Sequence, residues 1–441
     1  MTRTMTFLVI LIAAALFSTP ARAEDWPQWM GPKRDSVWRE TGIVEKFPES
    51  GLKVKWRTPI AGGYSGPAVA GGRVYVSDFV HTQGDAKNSP NVRNKIEGTE
   101  RVLCLNEADG SILWEHEYPC SYRISYPDGP RATPTVDGAR VYTLGAQGHL
   151  FCLNAKTGAA LWSKNLEQEY DTEAPLWGFC GHPLVDGEKL ICLVGGKNSV
   201  AVAFDKTTGK ELWRALSAKE PGYCPPTMIT AGGTRQLLIW HAESMNSLDP
   251  ESGKVYWSLP LAPQYGMSIT APRQSGDYLF AGGIGNVAAL FKLNSDKPAA
   301  EVVWRGKGKT AVYCSNSTPF IDGDVLYGVG CKGGQLRGVD LKSGNRLWET
   351  SAATTGTRPA GQGTAFLVKH EDRFFLFNEK GDLILARLSR EGYEEISRFH
   401  VLEPTQESFG RDVIWSHPAF ANKCVYARNS KEIVCVSLAD E

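Results

Sequence analysis

Residues 104–114 read CLNEADGSILW, and residues 152–162 read CLNAKTGAALW. The same spacing returns in AFDKTTGKELW ending at Trp213, SLDPESGKVYW ending at Trp257 and GVDLKSGNRLW ending at Trp348. Ten residues before each Trp stands a small residue (Cys104, Cys152, Ala203, Ser247, Gly338), eight before stands Asn or Asp, and four before stands Gly. Asn or Asp can bond the backbone of its own turn, and Gly supplies the positive φ of a tight connection, so each copy predicts a β-hairpin. The indole on the second strand needs cover, and the small residue opposite leaves it a slot.

Upstream of these hairpins lie SGPAVAGGRVYVSD, ATPTVDGARVYTLG, GHPLVDGEKLICLV, STPFIDGDVLYGVG and SHPAFANKCVYARN. Each has a small-Pro-apolar start, a turn and then alternating apolar residues, which reads as a second hairpin and gives four antiparallel strands per period. The anchors Trp56, Trp114, Trp162, Trp213, Trp257, Trp304 and Trp348 are 44 to 58 residues apart, and Ile396 takes the eighth place. Four-strand repeats of that length predict an all-β, eight-bladed β-propeller. The last copy, ANKCVYARNSKEIVCVSLADE, stops after a third strand, whereas Trp56 has no three strands before it. The N-terminal strand is therefore expected to complete the last blade and leave no open sheet edge. In the fifth blade Lys292 stands in the small position, and the seventh has no Trp.

Composition narrows the partners. With 48 basic and 48 acidic side chains the chain presents no large field of one sign, which argues against nucleic acid. Arg3, the apolar run Phe7–Phe17 and Ala21-Arg22-Ala23 have the form of a signal peptide cut near Ala23. The expected product is periplasmic or secreted and monomeric, with no transmembrane segment. Residues 1–23 are thus the signal peptide, 24–51 an N-terminal extension without strand pattern, and 52–441 the propeller. Removal of residues 24–50 is expected to be far milder than removal through residue 59. The ten cysteines show no metal-binding or haem-attachment spacing. Cys104, Cys152 and Cys435 fall in the slot position, and a Cys180–Cys224 disulfide is the one pairing considered.

The T-G-x-x-L-W hairpin resembles the pyrroloquinoline quinone (PQQ)-like repeat of the quinoprotein alcohol dehydrogenase-like superfamily. That repeat is shared by the propeller subunit of the outer-membrane β-barrel assembly machine (BamB-like). DWPQWMGP, GTERVLCLNEADG and VYARNSKEIVCVSL are also similar to exported PQQ-like propeller proteins. The resemblance covers about residues 52–441. It implies a propeller and leaves function open, because function resides in sites grafted on a fold.

A site is expected where one blade's outer strand passes to the next blade's inner strand. Those segments carry Tyr64, Tyr126, Trp177, Tyr223, Tyr265, Tyr313 and Trp415, with Arg358 in the seventh, and they bring Arg131, His182, Asn316 and His417 to the same mouth. An aromatic rim with hydrogen-bonding groups suits a small molecule or a peptide. The same aromatics equally suit the sealing of blade junctions, and His182 and His417 both precede Pro at one blade position. The polar insertion at residues 79–100 reads as a surface loop, either covering a mouth or disordered. The resulting expectation is a non-catalytic envelope module that binds a protein or a small ligand, with no cofactor and no metal. The alternative is a PQQ- and Ca²⁺-dependent alcohol or sugar dehydrogenase. Against it stand the missing Cys-Cys pair and haem motif; Glu173, Asp171, Glu407 and Asp412 are the only carboxylates noted in suitable loops, and no catalytic residue is assigned.

Overall fold

The computed structural model describes residues 24–440; the signal-peptide reading of residues 1–23 and its cut site lie outside them. Eight four-stranded antiparallel sheets follow one another in the order their strands occur, with one additional two-stranded hairpin. Blade one begins at Ala68–Ala70 and blades two to seven at Thr135–Asp137, Leu184–Asp186, Thr227–Ala231, Arg273–Ser275, Phe320–Asp322 and Ala365–His370. Blade eight combines Ala419–Ala421, Cys424–Arg428 and Glu432–Ser437 with Val54–Pro59, where Trp56 pairs with Cys435. The ring thus closes through the N-terminal strand, as the truncated last repeat requires.

The recurrent Trp latches each blade to the next. Trp114 faces Cys104 across its own sheet, while its indole N–H donates to the Ala155 carbonyl in the turn of blade two at 3.1 Å. Trp56, Trp162, Trp213, Trp304 and Trp348 make the equivalent bond to Glu107, Lys206, Pro250, Leu341 and Ser389. Trp257 instead turns to Gln236 of its own blade. The turn glycine lies beneath the indole: Gly158 has φ 74°, and a Cβ there would meet Trp114 at 2.6 Å. In blade five Trp304 faces Leu290 rather than Lys292, because the hairpin is longer there: pairing runs on past the bulge to Leu293 and Ala300, where blade one stops at Leu105 and Ile112.

The slot opposite the Trp is filled. A Cβ on Gly338 would lie 2.4 Å from Trp348. Gly338→Leu is expected to cost at least about 1–3 kcal/mol through overpacking, read as a lower melting temperature; Ala203→Leu, facing Trp213, should behave alike. Cys104, Cys152 and Cys435 are buried, and burial raises the Cys104 thiol to about 12 and the Cys152 thiol to about 11. They therefore stay protonated and unreactive.

The N-terminal extension is not outside the propeller. It crosses the ring as a plug. The Trp26 N–H donates to Val69 of blade one at 2.8 Å, and Pro27 accepts from Val136 of blade two. The Arg34 guanidinium donates to Pro183 of blade three at 3.0 Å, and Arg273 of blade five donates to the carbonyls of Arg34 and Asp35. Trp38 bonds Lys369 of blade seven, and Val44 bonds Leu438 near the end of blade eight. Trp26, Trp29 and Trp38 are buried at 2%, 3% and 1% exposure. A segment with no strand period makes these bonds singly, blade by blade, so periodicity gave no sign of it.

The insertion at 79–100 is paired sheet on both flanks, with a non-strand tip at 85–93. It lengthens three strands of blade one to Arg73–Gly84, Asn94–Asn106 and Ile112–Ile124, and Phe79 stacks on Tyr122 at 4.1 Å. Its tip turns over the mouth, where Asn88 donates to the Glu407 carbonyl at 2.9 Å and Arg93 to the Ala174 carbonyl at 2.9 Å. At its root the buried Glu100 carboxylate accepts from Tyr118, Tyr122 and the Ala146 amide, which ties the extension to blade two.

Candidate functional site

The inter-blade segments, the insertion tip and the plug enclose one cavity of about 390 Å³ at the mouth of the ring. Trp29 of the plug forms part of its wall, stacked on His182 at 4.7 Å and edge-on to His417 at 5.9 Å. Around it stand two aromatic groups. Trp177 meets Tyr223 at 5.6 Å, and Trp415 meets Tyr126 at 5.7 Å and Phe409 at 6.4 Å. Tyr64, Arg131, Tyr265 and Asn316 complete the expected set that lines the cavity.

Two expected residues lie elsewhere. Tyr313 is buried at a blade junction, with its hydroxyl on the Lys307 carbonyl at 2.7 Å, and Arg358 is exposed outside the cavity. Tyr313 belongs to a segment whose polar continuation, Ser315 and Asn316, takes the cavity position instead. The Cys180–Cys224 disulfide is absent: all ten cysteines are free. Cys180 lines the cavity, whereas the Cys224 thiol donates away from it to Thr270 of the next inter-blade segment at 3.4 Å. Burial raises the Cys180 thiol to about 11, so it is no nucleophile.

Sequence reasoning missed Trp29, the insertion residues Pro90 and Asn91, Gln362 and Phe409. Phe409 tops the hairpin formed by Gln406–Ser408 and Arg411–Val413, which has no counterpart between other blades. The signal was present in the letters SFG at the turn, a bulky aromatic where small residues are usual. Phe409 is 54% exposed at φ 51°. Tyr126, Tyr265 and Gln362 share that left-handed backbone at φ 51°, 59° and 60°. Non-glycine residues held there cost on the order of 1–3 kcal/mol each and cluster at binding sites.

The polar groups of the lining carry one formal charge, that of Arg131. Arg131 is the one Lys or Arg in the lining, and its guanidinium is engaged by the Gly129, Ser125 and Tyr126 carbonyls while it lies 5.1 Å over the Tyr64 ring. The His182 Nδ1 accepts from the Thr133 amide at 2.8 Å, so the neutral ring carries its proton on Nε2. Burial, then neighbouring His417 and Arg34, hold His182 well below the usual range, and burial lowers His417 to about 3. No carboxylate lines the cavity; Asp171, Glu173, Glu407 and Asp412 are exposed outside it. The indole N–H groups of Trp29 and Trp415, the Tyr64 and Tyr223 hydroxyls and the Gln362 side-chain oxygen close no hydrogen bond of ordinary geometry among the described residues.

The histidines set a pH dependence. Both protonate near 6.5 in the unfolded chain and resist protonation in the fold, so no penalty exists above that pH and one grows as pH falls. Urea midpoints are expected to drop between pH 6.5 and 4, and His417→Gln should flatten that slope.

Among the described residues no helix is long and apolar enough to cross a membrane. A family profile described as Outer membrane protein assembly factor BamB matches residues 98–298 and 246–441. The assembly factor BamB of Shewanella oneidensis is 22% identical over 282 residues, 60% of this chain and 69% of that protein. Quinohemoprotein alcohol dehydrogenase ADH IIB of Pseudomonas putida is 29% identical over 166 residues, 36% of this chain. The matched segment spans 22% of that enzyme's length. Among solved structures, BamB from Moraxella catarrhalis superposes with a TM-score of 0.53 at 15% identity, covering 87% of this chain and 98% of its own. Quinohemoprotein alcohol dehydrogenase from Comamonas testosteroni gives 0.60 at 13% identity, covering 95% and 81%. At such identities the structural likeness establishes the propeller alone. The profile matches, however, run from residue 98 to the C-terminus, and by them the chain belongs to the PQQ-like propeller family described as Outer membrane protein assembly factor BamB.

Proposed function

We propose that this chain is an exported, non-catalytic binding module of the cell envelope that captures a protein segment or a small ligand at the mouth of its ring. The observation that carries this reading is the convergence of strained aromatics and unpartnered hydrogen-bonding groups on one cavity free of carboxylates. Placement in the envelope rests on the signal-like N-terminus and on the assembly-factor relatives. The quinoprotein alternative is less well supported. Ca²⁺ takes about six to eight oxygen ligands, carboxylates prominent among them, and no Asp or Glu lines the cavity. An anionic quinone would also meet a single cation, already engaged by three carbonyls.

Two experiments test this. Titration of the mature chain with PQQ and Ca²⁺, followed by tryptophan fluorescence, is expected to give no saturable micromolar response; saturable binding with alcohol oxidation would reinstate the enzyme. A photo-crosslinking residue in place of Tyr265, 66% exposed at the rim, is expected to give a discrete adduct in the envelope of exporting cells, and one in place of Val255 none. Equal labelling from both positions would remove the mouth as the binding surface.

A further inference from the structure

Resting on the reading of the cavity as a binding site, we propose that its ligand is an uncharged sugar ring, entering as a free oligosaccharide or as the neutral end of a longer glycan.

The charge balance comes first. His182 and His417 are neutral, Arg131 is engaged by three carbonyls, and no carboxylate lines the cavity. A cationic ligand would lose its water and find no counter-charge in the lining, which is far costlier than burying a paired polar group, and an anion would find only Arg131, which three carbonyls already engage. Ammonium groups are therefore disfavoured, and a phosphate or carboxylate would have to compete with three carbonyls for Arg131.

The hydrogen-bonding groups narrow the choice. Two indole N–H donors and the Gln362 oxygen close no hydrogen bond among the described residues, the Tyr64 and Tyr223 hydroxyls have only Asn88 and the Trp177 backbone beside them at less than ordinary geometry, and the Thr364 hydroxyl donates to the Asn316 side-chain oxygen at 2.5 Å, leaving the Asn316 amide N–H₂ as a donor. A buried polar group left unmatched costs about 1–3 kcal/mol. A ligand that only stacks, such as a quaternary ammonium, would leave these groups unmatched. Sugar hydroxyls both donate and accept, so they suit a lining that offers donors and acceptors side by side.

The aromatic faces supply the complement. A pyranose has two faces of C–H bonds whose hydrogens are slightly positive, and these meet the negative faces of indole and phenol rings. Trp177 and Tyr223 on one side and Trp415 with Tyr126 on the other offer such faces. The plug forms part of the cavity wall through Trp29, and a polymer end can enter from the mouth. A polypeptide terminus carries an ammonium or a carboxylate; the non-reducing end of a neutral glycan carries neither.

The test is calorimetric titration of the mature chain with cellotriose, maltotriose, xylotriose and chitotriose, beside trigalacturonate, glycine betaine and a neutral capped peptide, after a screen of the chain on an array of uncharged glycans. At least one uncharged glycan is expected to bind saturably, with charged analogues at least tenfold weaker. Trp415→Ala should weaken it at least tenfold without lowering the melting temperature. Equal affinity for the trisaccharide and for the corresponding polysaccharide, counted per chain end, would identify a polymer end; binding of the trisaccharide alone would identify a free sugar. If betaine, trigalacturonate or the peptide binds in a Trp415-dependent way and no uncharged glycan does, the cavity remains a binding site and the sugar assignment falls. Glycan binding unaffected by Trp415→Ala overturns the location, and retention of no uncharged glycan overturns the proposal.

Discussion

A chain lacking residues 24–47 is expected to melt at least about 10 °C below the mature protein, or to fail to fold at all. That segment buries Trp26, Trp29, Trp38 and Phe47 and forms main-chain bonds with blades one, two, seven and the end of blade eight. Truncating one fully buried Trp typically costs about 3–5 kcal/mol, against a total stability of about 5–15 kcal/mol for a folded domain. Trp38→Ala is the milder probe, because Trp38 packs on His370, Phe375 and Phe420 and so joins blades seven and eight. Circular dichroism melts of both variants decide the matter. Melting temperatures within 2 °C of the mature chain would mean that the propeller holds without its plug.

Arg428→Ala is expected to destabilise the fold by about 3 kcal/mol or more, since each buried carbonyl left without its donor costs about 1–3 kcal/mol. Arg428 is fully buried where blade eight meets blade one, and its guanidinium donates to the carbonyls of Ser77 at 2.8 Å, Asn429 at 2.9 Å and Ala61. Burial lowers it to about 10, opposed by Asp78 and Asp128. Without it the Ala61 and Asn429 carbonyls lose their side-chain donor and the Ser77 carbonyl keeps only the Ser65 hydroxyl, at the junction the chain closes non-covalently. Loss of stability with an unchanged denaturant slope is the expected signature. Arg428→Lys should recover only part, since one ammonium cannot reproduce the planar fork.

The hairpin repeats and the ring closure were legible in the sequence because each rests on a short-range rule. Gly fixes a turn, alternation fixes a face, and the missing fourth strand of the last copy fixes where Val54–Pro59 must go. Most of the mouth followed, since Tyr64, Tyr126, Trp177 and Trp415 occupy equivalent inter-blade positions. What stayed hidden depends on contacts remote in the chain. Trp29 meets His182 and His417, far away in sequence, and nothing periodic marks it. Tyr313 shares the segment position of Tyr223 yet turns into a junction, because its hydroxyl finds the Lys307 carbonyl there. The insertion read as a loop because its apolar residues are sparse; main-chain pairing from Phe79 to Gly84 with Ile96 to Glu100 makes it sheet nonetheless.

The tryptophans divide into latches and ligand contacts, and fluorine NMR of 5-fluorotryptophan-labelled protein tests that division directly. With resonances assigned by single Trp→Phe substitutions, an uncharged glycan that binds is expected to shift Trp29 and Trp415, whose N–H groups have no partner, and to leave Trp114, Trp162 and Trp213 in place. Shifts confined to the latch residues, with Trp29 and Trp415 unmoved at saturation, would contradict the cavity as the site of capture.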